Sequence, residues 1–161
     1  QFLGLDQLDR VKRAGIIPSF FVAHVLHWGE IHIRNLGLQR ASKMSPLRSA
    51  LERNMHFTLH QDSPVILPDM LETIYCAVSR KTETGRILGE DERIDVCSAL
   101  RAVTAEVAYQ YFEENETGTL SEGKRENLII LSENPVGCSE EKLREIRVEE
   151  TIRDGETVFK R

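Results

Sequence analysis

From Ile16 to Val25 the chain is almost unbroken in apolar residues, with only Pro18, Ser19 and His24 intervening. Such a run predicts a strand covered on both faces, as in a parallel sheet, rather than an alternating, half-exposed one. A second short apolar strand, about His56 to His60, follows a turn at Asn54 and is stopped by Pro64 and Pro68. Between the two, Ser45 to Arg53 reads as a short helix with Ser45 as its N-cap and Pro46 at its first position. Trp28 to Ser45 reads as a long loop suited to lining a pocket. Strand, helical crossover and strand form a βαβ unit, so the two strands are expected to be parallel.

Helical periodicity accounts for most of the rest. Leu5, Leu8, Val11 and Lys12 mark one face of a helix that Asp6 suits at its start and Gly15 at its stop. Leu67, Leu71, Ile74 and Val78 mark another over about Pro68 to Lys81, with Asp69 and Glu72 near its positive end and Arg80 and Lys81 at the other. After a polar loop from Thr82 to Arg93, Asp95 caps a helix with Val96, Leu100, Val103 and Val107 in register, and Ala105 to Phe112 continues it or forms a second short one. Leu128 to Leu131 is a strand. Ile146 to Arg153 and Glu156 to Phe159 are strands joined by Asp154-Gly155, a strong type I′ hairpin signal.

Composition narrows the function classes. A net charge of −5, with no basic stripe, argues against a nucleic-acid partner. The longest apolar stretch is too short to span a bilayer, and residues 1–25 lack the basic start and cleavage site of a signal peptide. The expectation is therefore a cytoplasmic protein with no membrane partner. Cys76, Cys97 and Cys138 are odd in number and lack CxxC spacing, which predicts reduced thiols, two of them in helix cores. A start at Gln1 rather than Met, almost at once followed by a helix, is what a fragment looks like, and a processed or trimmed chain would look the same.

Candidate chemistry gathers at the ends of the two strands. Asp62, with His60 before it, follows the second strand and precedes a helix, the unit from which α/β enzymes build active sites. Taken alone, an Asp ahead of Ser-Pro is more often an Asx-turn or capping residue than a catalyst. His24, His27 and Trp28 end the first strand. On a strand, side chains three apart face opposite ways, so His24 and His27 can converge only on a helix or in a loop; otherwise they rim a pocket mouth. His32 has no partner at ligand spacing and reads as a surface residue.

His60-Gln61-Asp62-Ser63-Pro64-Val65, then Leu71-Glu72-Thr73-Ile74 and Ala77-Val78-Ser79-Arg80, resembles the last barrel strand and following helix of the amidohydrolase superfamily. The resemblance is to its amidohydrolase-3 branch, which includes formamide deformylases and exoenzyme-regulatory proteins. Gln61 stands for the branch's usual Ser and Ser63 for a small apolar residue. Leu100-Arg101-Ala102-Val103-Thr104 is similar to the helix after that strand. Gly118 to Leu131 resembles the segment where the chain leaves the barrel for a small β domain, with Glu126 for the usual Ala and Asn127 for the usual Asp. A phosphate-binding reading of those glycines fails, because the strand follows them instead of preceding them.

The resemblance implies an α/β fold: the C-terminal fragment of a (β/α)8 barrel with parallel strands over 1–114, and closing strands of a small β-sandwich domain over 115–161. It implies a metal-dependent hydrolase of non-peptide C–N bonds, of amide or formamide type, acting on a small-molecule substrate. Asp62 would be a metal ligand and the catalytic proton shuttle. His24, His27, Trp28 and His60 would bind substrate or orient Asp62, and the cofactor would be a divalent cation, with Zn²⁺ expected. The family's His-x-His and its other ligands are not in this chain, so the chain alone is expected to be inactive. The alternative is a non-catalytic regulatory or interaction module that keeps the fold without a working metal site. Unpaired strand edges predict self-association.

Overall fold

At the start of the first helix, α1 (Leu5–Arg13), the Gly4 amide donates to the Gln7 side-chain oxygen and the Gln7 amide donates to the Gly4 carbonyl; the chain turns at Gly15 after the helix. This computed structural model describes residues 2–161. Leu8 is the fully buried anchor of α1. The apolar run that comes next divides between two elements. Only Ser19–Phe20 forms a strand, β1, and Phe21 to Ala23 lead directly into a helix, α2 (His24–Leu36). The predicted strand to Val25 is thus cut short. Val25, Leu26 and Gly29 face the core at helical spacing, so the same apolar residues bury as well on α2 as on a strand.

The predicted loop from Trp28 to Ser45 is likewise mostly helical, through α2 and a single turn, α3 (Leu38–Ala41). Ser45 does not cap the next helix, α4 (Leu47–Glu52). It sits at φ +45°, and its buried hydroxyl has no hydrogen-bond partner among the described residues. Past a turn at Asn54, φ +51°, comes β2 (Thr58–Leu59). The pair is parallel, as expected, with Ser19 beside Thr58 and Phe20 beside Leu59. Bonds from the Thr58 amide to the Pro18 carbonyl and from the His60 amide to the Phe20 carbonyl extend the ladder.

Asp69 caps α5 (Met70–Ser79), accepting from the Leu71 and Glu72 amides. Ile74 is buried and Leu71 and Val78 pack on the core, but Leu67 lies outside the helix and is exposed. Arg80, placed by the sequence at the far end of this helix, is its C-cap at φ +51° and is fully buried. A 3₁₀ turn (Glu90–Glu92) leads to α6 (Val96–Ala102), capped by Asp95, and then to α7 (Ala105–Gln110).

The C-terminal part is a three-stranded antiparallel sheet of β3 (Leu128–Leu131), β4 (Val148–Arg153) and β5 (Glu156–Lys160), in the order β3-β4-β5. Asp154 and Gly155 both have positive φ, +49° and +79°, as the predicted hairpin requires. A short helix before β4, α8 (Glu140–Leu143), is an element that the sequence reading lacks. Leu143 and Ile146 join the main core, and Glu140 pairs with Lys81 and Arg93, which ties this segment to α5 and its flank. Of the cysteines, only Cys76 is in a helix core; Cys97 is exposed on α6 and Cys138 is half-buried outside the helices. Among the described residues no helix is long and apolar enough to cross a membrane.

Candidate active site

The C-terminal ends of β1 and β2 lie side by side, and the segment leaving each strand packs against the other. After β1, Phe21 is buried and its ring lies 4.4 Å from His24 and 5.5 Å from His60, centroid to centroid. After β2, His60 is held by the backbone bond to Phe20, and its Nδ1 is 2.8 Å from the Ser19 hydroxyl. Ser19, Thr58 and His60 fall on one face of the pair by the alternation of strand side chains.

Asp62 comes two residues later at φ +51°, exposed, and its carbonyl accepts from the Val65 amide to close a turn. Asp is among the residues that tolerate this conformation best. Its carboxylate makes no hydrogen bond or ion pair with the described residues. The loop that presents it is pinned by Gln61, which is buried: the amide side chain accepts from the Asp69 N–H at 2.5 Å and donates to the Asp69 carbonyl. Asp69 is also the cap of α5, so one residue closes the loop and starts the helix.

The first turns of α2 form the opposite wall. His24, Trp28 and His32 recur every four residues and therefore share a helix face. The His24 and Trp28 rings are 4.6 Å apart, and His24 Nδ1 is 3.2 Å from His32 Nε2. Burial, with His32 alongside, pushes His24 down to about 4. Burial also holds His32 and His60 below the ordinary histidine value. Three imidazoles here are therefore neutral at pH 7, able to donate or accept single hydrogen bonds without adding charge.

The helix places His27 apart from this group. Its Nε2 lies 2.9 Å from Glu72 Oε1, and Glu83 is 3.9 Å from Nδ1. It lines a separate cleft of about 390 Å³ with Leu26, Tyr75 and Arg144. Of the five residues that the sequence singled out, the structure brings together His24, Trp28, His60 and Asp62, and turns His27 toward α5. Two further residues belong to the group. His32 reads as a surface residue in the sequence because its spacing from His24 is meaningful only on a helix, and Ser19 becomes visible only once the strand register is known.

Asp62 suits a metal as a single unpartnered carboxylate donor. It does not suffice: no group of three or more His, Cys, Asp or Glu that could hold an ion converges among the described residues. The chain itself presents a solvent-facing carboxylate bordered by neutral imidazoles and aromatic rings. Such an arrangement can take up and release a proton beside a bound neutral molecule.

Known proteins resemble this chain in sequence and in fold. The model of the amidohydrolase family matches residues 1–159. An N-substituted formamide deformylase of Arthrobacter pascens is 34% identical over 135 residues, covering 83% of this chain and 25% of its own length. Protein LONG AFTER FAR-RED 3 of Arabidopsis thaliana is 33% identical over 138 residues, 83% of this chain and 23% of its own. Among solved structures, an uncharacterized metal-dependent hydrolase from Pyrococcus horikoshii OT3 superposes with a TM-score of 0.72 at 23% identity, over 87% of this chain and 29% of that one. An amidohydrolase from Thermotoga maritima gives 0.66 at 18% identity, over 98% and 35%. The chain thus spans about a quarter of the length of the curated relatives.

Proposed function

The chain belongs to the amidohydrolase family, and from that premise we propose that it is the C-terminal part of a metal-dependent hydrolase of amide- or formamide-type C–N bonds. In this reading β1 and β2 are neighbouring strands of a (β/α)8 barrel, whose active sites lie at the C-terminal strand ends. The observation that carries the proposal is Asp62: a carboxylate at such a strand end, unpartnered and exposed, with His60 beside it. The formamide relative supports the substrate class, and the metal-dependent neighbours support a divalent cation.

A divalent ion, Zn²⁺ being the expected one, would be held by Asp62 together with ligands from outside this chain; when bound, it lowers the pKa of water and polarises a carbonyl. Asp62 takes the proton of the attacking water as its oxygen adds to the carbonyl carbon. It then returns that proton to the nitrogen as the C–N bond breaks, so the carboxylate ends as it began. His60 and His24 donate or accept at the substrate's polar atoms, and Phe21 and Trp28 exclude water from the reacting bond. His27, bound to Glu72, contributes only by holding α2 against α5.

Metal content tests this directly. Tight zinc sites use three or four protein ligands. The 161-residue chain should therefore bind no stoichiometric zinc at micromolar affinity, whereas the full-length hydrolase should, and Asp62→Ala should weaken that binding. Stoichiometric zinc on the isolated chain through Asp62, or full-length binding indifferent to Asp62, overturns the reading.

A further inference from the structure

Of the five histidines, His24 and His60 share one arrangement. In each, Nδ1 is tied back to a neighbour, His32 for the first and Ser19 for the second, and Nε2 has no partner among the described residues. His27 and His56 differ, since each is bound to a carboxylate, Glu72 and Glu106. His60 is the one that stands two residues from Asp62 on the same strand end.

The register makes the Ser19–His60 contact a built one. Ser19 lies beside Thr58, and the His60 amide bonds the Phe20 carbonyl, so the serine hydroxyl and the imidazole are held on one face by backbone on both sides. A hydroxyl can donate or accept, and a neutral imidazole offers one nitrogen of each kind. The Ser19 hydroxyl has no other acceptor among the described residues. Its proton is free for Nδ1, and a ring that accepts at Nδ1 carries its own proton on Nε2.

We propose that Ser19 is a positioning residue, whose hydroxyl donates to His60 Nδ1 and so presents Nε2–H beside Asp62 as the donor to the substrate's carbonyl oxygen. The proposal rests on the hydrolase reading of the Asp62 site. A donor fixed in direction before substrate arrives stabilises charge that develops on that oxygen without reorganisation. His60 is then the residue that touches substrate, and Ser19 acts through it.

The tautomer is measurable without turnover. Two-bond proton–nitrogen correlation spectra of the ¹⁵N-histidine-labelled 161-residue chain should show His60 as the Nε2–H form, identified by its loss in His60→Gln. Ser19→Ala should convert it to a mixture and Ser19→Thr should retain it, while the His27, His32 and His56 signals stay in place as the control for folding. An Nδ1–H form in the wild type, or an unchanged pattern in Ser19→Ala, overturns the proposal. In the full-length hydrolase, with N-butylformamide as the probe, Ser19→Ala should lower kcat about tenfold, the usual scale for an orienting hydrogen bond, with Ser19→Thr restoring it. Unaltered kcat in Ser19→Ala beside a dead Asp62→Asn overturns the positioning role alone; undiminished turnover in Asp62→Asn overturns the hydrolase reading beneath it.

Discussion

Arg80→Met should be among the most damaging single substitutions outside the site. The side chain is fully buried, and its fork satisfies three backbone carbonyls at once: Nε donates to Leu88 at 2.8 Å, Nη1 to Ser45 at 3.0 Å and Nη2 to Met44 at 2.8 Å. It joins the end of α5 to the turn before α4 and to the segment entering the 3₁₀ turn. The packing is tight enough that a Cβ at Gly89 would fall 2.1 Å from the Ser42 carbonyl oxygen. Burial pushes the guanidinium down to about 10, against the pull of Glu92 and Asp91, so the charge is held at a desolvation cost. Methionine fills similar volume but leaves the Leu88 and Met44 carbonyls unpaired, each costing roughly 1–3 kcal/mol, while the Ser45 carbonyl keeps only the Leu47 amide. Relief of the buried charge offsets part of this, leaving about 3–5 kcal/mol, the scale found when one side of a buried charged interaction is removed. For a chain of this size, at about 2–4 °C per kcal/mol, the melting temperature should fall by about 6–20 °C. Thermal and guanidinium denaturation monitored by circular dichroism measure it. A loss under about 1 kcal/mol would refute the claim that these three bonds hold the loops together.

Acid should weaken the fold through the strand-end histidines. His24 titrates near 4 in the folded chain against 6.5 ordinarily, so between those values the unfolded chain binds the extra proton and stability falls as the pH drops. The melting temperature should decline from about pH 6.5 to pH 4, and His24→Gln should flatten that decline; an unchanged slope would contradict the burial of His24. The terminal sheet leaves Ile129, Ile130, Val158 and Phe159 exposed, and β1 and β2 each lack a second neighbour among the described residues. The isolated chain should therefore self-associate, and a clean 18.4 kDa species in light scattering at micromolar concentration would count against it.

Much of the fold is legible in the sequence because local chemistry and fold agree. Asn54 and Pro64 bound the β2 strand, the caps Asp69 and Asp95 sit where helices begin, and Asp154-Gly155 allows little but a tight hairpin. The apolar run from Ile16 misleads because burial on both faces suits a parallel strand and a core helix equally, and sequence periodicity does not separate them over so few residues. That one error propagates. Without α2, the four-residue recurrence of His24, Trp28 and His32 has no meaning, and His24 and His27 are only two polar residues at one strand end. Asp62 and His60 are singled out in the sequence by their strand-end position and by the family resemblance. Ser19 and Gln61 are not, since their roles depend on register and on the closure of a loop. The sequence places Arg80 at a helix end, but only tertiary structure supplies the three carbonyls it bonds in the core.

The most direct test of the hydrolase assignment is the turnover of Asp62→Asn in the full-length protein. The change keeps the shape of the side chain and removes its ability to carry a proton, so the fold and its melting temperature should persist. Hydrolysis of an N-substituted formamide, measured by formate release, should fall by at least about 10²–10⁴. A rate near that of the wild type would mean that Asp62 only turns the chain after β2, and that the chemistry lies elsewhere.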